Sequence, residues 1–256
     1  MTETLLLDSY LKQLRLPTFV RQHRAVADDA ARQQHDYEHY LLALAELEVA
    51  QRQQNLQRRC VQAAHFPVLK DLADFDFSCL TSPAKLTVLD LARGAYLEHA
   101  EPIILLGNPG LGKTHVAIGL ARAACLQGHR VRFYAAAGLV NELLQAQDKH
   151  QLPRFYAGLL KQQLIVIDEL GFIPFTTAGA QLLFQACSTL HERVAVIITT
   201  NLRFADWPQV FGDERLTGAL LDRLTHHAHL LEFIGESYRF RQRQHQAARS
   251  VSEGDT

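Results

Sequence analysis

Residues 103–114 read IILLGNPGLGKT, and they indicate the architecture more strongly than any other segment of the chain. Four apolar residues of strand length come first, and residues 107–114 then match the pattern G-x-x-x-x-G-K-[S/T]. Val116, Leu120 and Ala124 follow at helical spacing, until Gly128 ends the pattern. A strand, a glycine-rich turn and a helix in this order are typical of a phosphate-binding loop. Glycines let several backbone N–H groups point at phosphate oxygens, and the helix N-terminus adds partial positive charge.

We expect this loop to bind the triphosphate of ATP, and a glycine-rich turn without a ligand is the alternative. Lys113 would reach the β- and γ-phosphates, and Thr114 would place its hydroxyl on Mg²⁺. The residues predicted to surround the phosphates are Gly107, Asn108, Pro109, Gly110, Leu111, Gly112, Lys113 and Thr114.

Two acids follow a second buried strand, in residues 164–169, which read LIVIDE. Because the carboxyl ends of parallel strands face the ligand crevice, we expect Asp168 to hold Mg²⁺, directly or through water. Glu169 would then polarise the water that attacks the γ-phosphate. The alternative is that both acids simply solvate a strand end.

Two further residues are candidates for catalysis. Asn201 follows the apolar strand at 194–199 and would bond the γ-phosphate and the water, unless it only forms a turn. Arg223 could neutralise transition-state charge on the ATP of a neighbouring subunit. A surface ion pair between Asp222 and Arg223 is an equally good interpretation of the spacing alone.

Strand-length apolar runs alternate with helical patterns from residue 103 onward, at 103–106, 131–134, 164–167, 194–199 and 229–233. This alternation predicts an α/β fold in which helices flank a parallel sheet. Residues 83–99 are predicted to form one helix that begins near Pro83. The first third of the chain has helical spacing throughout. We therefore expect a small helical N-terminal domain over residues 1–65 and a nucleotide-binding domain over residues 66–256.

The composition excludes a disordered tail protein and a collagen-like repeat. Hydrophobic residues make up 48% and charged residues 21% of the 256 residues, as in an ordinary globular protein. Lys plus Arg number 26 and Asp plus Glu 27, so no overall basic charge favours nucleic acid. No apolar run approaches the roughly 18 residues of a membrane span. Four scattered cysteines and an N-terminus without a basic region favour a cytoplasmic protein with no membrane partner.

The chain resembles the IstB-like family of transposition helper ATPases, within the AAA+ P-loop class. The matching segments are GNPGLGKTH at 107–115, LIVIDELG at 164–171, IITTN at 197–201, LTGALLDRLTH at 216–226, FDFS at 75–78 and SYRF at 237–240. The phosphate loop alone identifies a very large class, whereas this ordered set is much more specific. The resemblance covers nearly the whole chain and implies an AAA+ fold preceded by a helical domain.

The resemblance also implies a function. It implies an enzyme that hydrolyses ATP to ADP and phosphate, binds double-stranded DNA, forms homo-oligomers on ATP and DNA, and works beside a transposase in DNA recombination. It places Asn201 at the sensor position and Arg223 at the arginine-finger position. One departure is that the end of the N-terminal helical region is rich in Gln, with Arg52, Arg58 and Arg59 as the candidate DNA contacts.

Two other functions remain open on the sequence. The first is a helicase-loader-type AAA+ adaptor in DNA replication, which needs an apolar, partner-facing stripe on the N-terminal domain instead of DNA-binding arginines. The second is a monomeric P-loop kinase for a small metabolite, which would have no use for Arg223 in a neighbouring subunit. A basic tail that contains Arg239, Arg241 and Arg243 is either a solvated face or a phosphate-contacting patch.

Overall fold

The computed structural model describes residues 2–77, 80–172 and 174–235. The chain divides into two compact units, Met1–Arg59 and Cys60–Thr256. Within the described residues, no helix has both the length and the apolarity needed to cross a bilayer. The described residues do not include the segment SYRF, the basic tail, or Ser78 of the segment FDFS.

The helices are α1 (Thr2–Gln13), α2 (Pro17–Arg32), α3 (Tyr37–Ala63), α4 (Ser82–Leu91), α5 (Lys113–Leu126), α6 (Ala136–Asp148), α7 (Leu152–Leu159), α8 (Thr177–Leu190), α9 (Pro208–Phe211) and α10 (Glu214–Thr225). The strands are β1 (Ile103–Gly107), β2 (Val131–Ala135), β3 (Leu164–Leu170), β4 (Ala195–Thr200) and β5 (His229–Phe233).

The first unit contains α1, α2 and most of α3. Pro17 is the first residue of α2, where its fixed φ suits a helix and its missing N–H leaves no helical bond unmade. Glu48 of α3 is buried and accepts hydrogen bonds from the backbone N–H of Thr18 at 2.9 Å and from Nε of Arg52 at 2.7 Å. A second nitrogen of Arg52 donates to the carbonyl of Arg15 at 2.6 Å. These contacts join α3 to the turn between α1 and α2.

The second unit is built on a five-stranded sheet in the order β2-β3-β4-β1-β5, and all its pairings are parallel. Two apolar clusters cover its faces, one containing Ile103 and Leu105 and the other containing Ile104 and Ile198. Burial on both faces explains why the strands are continuous apolar runs instead of alternating patterns. The structure confirms the predicted α/β fold with a parallel sheet flanked by helices.

The predicted helix over residues 83–99 is wrong in its second half. Helix α4 ends at Leu91, and a separate turn of 3₁₀ helix spans Ala95–Leu97. Gly94 between them has φ +90°, which is a left-handed conformation that favours glycine.

Candidate nucleotide-binding site

The phosphate loop connects the end of β1 to the start of α5. Gly107, Gly110 and Gly112 have φ angles of +148°, +85° and +91°, which other residues rarely adopt. A Cβ at Gly107 would meet the carbonyl oxygen of Phe233 at 2.3 Å, and one at Gly112 would meet the ring of Phe75 at 2.6 Å. Two of the three glycines are therefore required by packing as well as by backbone conformation.

Lys113 is the first residue of α5, and its side chain turns back into the loop. It is 8% exposed, and Nζ donates hydrogen bonds to the carbonyl oxygens of Gly107 at 2.6 Å and Asn108 at 2.8 Å. The ammonium thus lies inside the curl of the predicted phosphate-binding residues. The loop combines a fixed positive charge with the partial positive charge of the α5 N-terminus, as anion binding requires.

A buried carboxylate lies beside the start of α5. Asp168 of β3 is 6% exposed, and its Oδ1 accepts hydrogen bonds from the hydroxyl of Thr114 at 2.9 Å and from the hydroxyl of Thr199 at 2.5 Å. The structure therefore brings together both predicted Mg²⁺ ligands. A carboxylate and a hydroxyl oxygen suit a hard cation that keeps several waters and also contacts substrate phosphates.

Glu169, the predicted catalytic base, differs from its neighbour Asp168 in environment. The β3–β4 register shifts between Ile167 and Leu170, and Glu169 has φ +60° within the strand. Its side chain is exposed, whereas that of Asp168 is buried. The bulge therefore gives two consecutive acids separate positions, as expected where a bulge redirects a side chain beside a ligand site.

Sequence reasoning missed Thr199. Its hydroxyl accepts a hydrogen bond from the backbone N–H of Glu169 at 2.9 Å and donates to Asp168. The residue is 1% exposed and lies near the carboxyl end of β4. Two consecutive threonines at the end of the apolar run were the signal that could have identified it.

Asn201 immediately follows β4. Leu106 of β1 pairs with Thr200 of β4, so Asn201 and Gly107 each follow one member of a paired position. The Thr200 hydroxyl accepts from the N–H of Leu202 at 3.1 Å and turns the chain around Asn201. Asn201 therefore lies at the carboxyl ends of the strands, where the phosphate loop also leaves the sheet.

Arg223 is not joined to the other predicted catalytic residues by any described contact. It lies on α10, donates to the carbonyl of Ala219 at 3.0 Å, and holds its guanidinium 5.2 Å from the ring centre of Phe184. Within the part of the chain that the structure describes, no ion pair joins it to Asp222, the partner that the alternative interpretation required.

The segment before β1 braces the phosphate loop. Phe75 packs edge-on against His115, with ring centres 5.3 Å apart, and Nε2 of His115 lies 2.7 Å from the carbonyl of Asp71. Asp71 also pairs with Arg122 of α5. A backbone N–H from Ala73 and the Arg122 guanidinium together lower the pKa of Asp71. The sequence identified FDFS at 75–78 only as a segment that resembles the family, and it did not reveal the contact of Phe75 with the loop.

The candidate DNA contacts lie on the second half of α3. Arg58 and Arg59 are exposed, whereas Arg52 is engaged by Glu48 and by the Arg15 carbonyl. Burial by itself would raise the pKa of Glu48, but the hydrogen bonds from Arg52 and Thr18 outweigh it and lower that pKa. Contact between these arginines and DNA stays a prediction.

Solved structures with similar folds support the architecture. The crystal structure of the DnaC helicase loader gives a TM-score of 0.52 at 21% identity and covers 69% of this chain and 99% of that chain. The replication initiator DnaA bound to AMPPCP and single-stranded DNA gives 0.53 at 18% identity, covering 70% of this chain and 54% of that chain. At such identities the likeness shows the fold alone. It supports the predicted fold of a parallel sheet flanked by helices, and the structure itself shows the helical N-terminal segment.

Sequence relatives cover more of the chain. The protein named as the ATP-binding protein of insertion sequence IS21 from Pseudomonas aeruginosa is 34% identical over 237 residues, covering 93% of this chain and 89% of the relative. Its counterpart from IS5376 of Geobacillus stearothermophilus is 31% identical over 234 residues, covering 91% and 93%. The model of the family described as IstB-like ATP binding protein matches residues 9–247. The chain therefore belongs to the IstB-like family of ATP-binding proteins.

Proposed function

We propose that this protein hydrolyses ATP to ADP and phosphate and acts as the DNA-bound helper of a transposase. One observation carries the hydrolytic part. The buried Asp168 bonds Thr114 at 2.9 Å beside the phosphate loop, while the next residue, Glu169, remains exposed. A carboxylate held for a cation and a second one accessible to water are the two acids that hydrolysis needs. The insertion-sequence relatives support the transposition part.

The proposed mechanism assigns each polar group one task. Thr114 and Asp168 would hold Mg²⁺, which neutralises charge on the β- and γ-phosphates when bound. Lys113 and the loop N–H groups bind the same phosphates. Glu169 accepts a proton from the attacking water while the water oxygen bonds to the γ-phosphorus. ADP leaves with the electrons of the broken P–O bond. Asn201 orients the water and the γ-phosphate.

Assembly supplies the remaining groups in this proposal. The net charge of −1 predicts that one subunit binds DNA weakly, because neutralising many phosphates requires several basic groups. Homo-oligomers on ATP and duplex DNA would place Arg223 of one subunit at the γ-phosphate of the next. We propose that residues 1–65 contact DNA or a protein partner and that residues 66–256 carry the ATPase.

The decisive experiment measures phosphate release by the purified full-length protein, with and without duplex DNA and a candidate transposase. We expect Mg²⁺-dependent turnover that DNA stimulates. Lys113→Ala is the control, and it should weaken ATP affinity by about two orders of magnitude, because charge-assisted bonds to two phosphates are lost. A wild-type protein that binds ATP but releases no phosphate under any of these conditions would refute the ATPase proposal.

The adaptor of a replicative helicase is the second candidate, and one observation favours it. The N-terminal unit exposes several large apolar side chains, as the adaptor function requires: Leu5, Leu6 and Tyr10 on α1, Leu14 in the turn that follows it, and Leu41 and Leu42 on α3. Stimulation of turnover by a hexameric helicase, in place of a transposase, would select this function. Gel filtration with and without ATP and duplex DNA tests both against a monomeric kinase, because a kinase of a small metabolite should not assemble.

A further inference from the structure

The hydroxyl of Thr199 makes two hydrogen bonds whose directions are fixed by chemistry. A backbone N–H can only donate, so the Thr199 oxygen accepts from Glu169 at 2.9 Å. An ionised carboxylate can only accept, so the single hydroxyl proton goes to Oδ1 of Asp168 at 2.5 Å. The Thr199 side chain on β4 therefore bonds both the backbone N–H of Glu169 and the Asp168 carboxylate.

These bonds occur where the strand pairing is interrupted. Between Ile167 and Leu170 the β3–β4 register shifts, so the regular ladder does not fix the backbone of Glu169. The residue also has φ +60°, a conformation that an L-residue keeps only when its surroundings enforce it. The Thr199 hydroxyl supplies such a constraint from a site that is 1% exposed.

We infer that Thr199 is a positioning residue for ATP hydrolysis, holding Asp168 and Glu169 in fixed relation to each other. The inference rests on the proposed function, because it deepens the roles proposed there for the two acids. Thr199 contacts neither the phosphates nor the water in this scheme. It acts through the orientation of the Asp168 carboxylate and of the Glu169 peptide.

The alternative is that Thr199 only fills the core and satisfies a buried N–H. Thr199→Val separates the two, because valine keeps the branched shape that suits a strand and replaces only the hydroxyl by a methyl group. The purely structural role predicts lower stability with an unchanged turnover per folded molecule. The positioning role predicts a loss of turnover per folded molecule that has no counterpart in ATP binding.

The first measurement is steady-state hydrolysis by the full-length Thr199→Val protein. We expect kcat to fall roughly 100-fold, the scale on which misplacing a catalytic group by about 1 Å acts. The KM for ATP and the affinity for a non-hydrolysable ATP analogue should stay within about threefold of wild type, because Lys113 and the loop are unchanged. Thr199→Ser keeps the hydroxyl and should restore most of kcat.

The second measurement does not depend on activity. Amide hydrogen exchange of Glu169 should accelerate about tenfold in Thr199→Val, because its N–H loses its acceptor. Thr200→Val is the matched control, since the Thr200 hydroxyl is equally buried and accepts from the N–H of Leu202. That variant should accelerate exchange at Leu202 and leave Glu169 protected.

Three results would overturn the inference. The first is a Thr199→Val protein whose kcat is within twofold of wild type, whatever its amide exchange. The second is a kcat in Thr199→Ser as low as that in Thr199→Val, since the hydroxyl would then be irrelevant. The third is unchanged exchange of Glu169 in Thr199→Val. If the wild type hydrolyses no ATP, the proposed function fails instead, and the exchange experiment still tests whether Thr199 fixes Glu169.

Discussion

The nucleotide site and the three N-terminal helices use polar side chains in opposite ways. At the site, the hydroxyls of Thr114 and Thr199 both donate to the Asp168 carboxylate, at 2.9 and 2.5 Å, and all three side chains are partly or fully buried. On α3, Arg58 and Arg59 point into solvent, and the bonds of Arg52 are made within its own helical unit. Hydrogen bonds within the chain fix the orientation of these site groups, whereas binding to DNA phosphates depends on many exposed basic groups.

Replacing Arg223 should have the largest effect on hydrolysis. In the described chain, Arg223 belongs neither to the nucleotide site nor to the N-terminal helices. If it serves the ATP of a neighbouring subunit, Arg223→Ala should leave ATP binding by the subunit nearly intact. DNA-stimulated hydrolysis should fall about 10³-fold or more, on the scale of other arginine fingers. Both quantities are measured on the same preparation, by equilibrium titration and by phosphate release.

Mixing tests whether Arg223 acts between subunits. A Lys113→Ala subunit has a defective ATP site but retains Arg223, so adding it to Arg223→Ala protein should restore partial activity. Mixed oligomers that form yet show no rescue at any ratio would argue against action between subunits. The contact of Arg223 with Phe184 would then be its structural role.

Glu169→Gln tests whether the exposed acid of the site performs chemistry. The amide has the same shape but cannot accept the proton of the attacking water, so turnover should fall about 10²–10⁴-fold. ATP and Mg²⁺ binding should persist, since Lys113, Thr114 and Asp168 are intact, and the ATP-bound assembly should accumulate on DNA. A rate near wild type would show that a different acid is the base.

The arginines of α3 test the other side of the comparison. Replacing both Arg58 and Arg59 by Gln should reduce the slope of log affinity against log salt concentration for duplex binding, by the amount expected for about two phosphate contacts. Affinity should fall about tenfold at low salt. Fluorescence anisotropy across a salt series measures both quantities. Arg32→Gln is the control, because Arg32 is also exposed but already pairs with Asp29; an equal effect there would mean that α3 is not the DNA-binding surface.

Glu48 gives the smallest effect and concerns folding. Its pKa lies below the ordinary 4.5 when the protein is folded, so its bonds stabilise the fold above that pH. This contribution disappears as the pH falls through the lowered folded value. Glu48→Gln should cost about 1 kcal/mol, or roughly a fivefold change in the folding equilibrium, near neutral pH.

Urea unfolding and amide exchange of Thr18 at pH 7 and pH 3 measure this effect. The difference between the wild type and Glu48→Gln should shrink at the acidic pH. Asp29→Asn provides the exposed comparison and should have little effect, because both partners of that ion pair are solvated. A wild-type advantage that grows on acidification would contradict the sign of the argument.

The predictable part of the molecule is the part that local patterns encode. Five apolar runs of strand length became the five parallel strands, and the motif at 107–114 placed the loop between β1 and α5. Helical periodicity continued past Leu91 in the sequence, but one left-handed glycine, Gly94, ended the helix. A single conformational requirement of that kind is invisible to a periodic pattern.

Tertiary relationships explain what the sequence left out of the site. Nothing in DELG reveals that Asp168 is buried while Glu169 turns outward, because the bulge depends on the pairing of β3 with β4. Thr199 has the same origin, since its partners lie about 30 residues away in the chain. The catalytic roles of Glu169, Asn201 and Arg223 remain predictions, and the experiments above test two of them directly.

The left-handed backbone of Glu169 implies a trade-off between the stability of the fold and the proposed catalysis. Eight non-glycine residues in the described chain have positive φ, and seven of them follow the ends of helical segments: Arg15, Gln34, His65, Ala100, His150, Glu192 and His227. Glu169 is the exception inside a strand, and such a conformation costs an L-residue about 1–2 kcal/mol. Glycine would relieve that cost and remove the carboxylate. If Glu169 is the catalytic base, selection for heat resistance alone should favour inactive proteins at this position, and the glutamate should persist only where turnover itself is under selection.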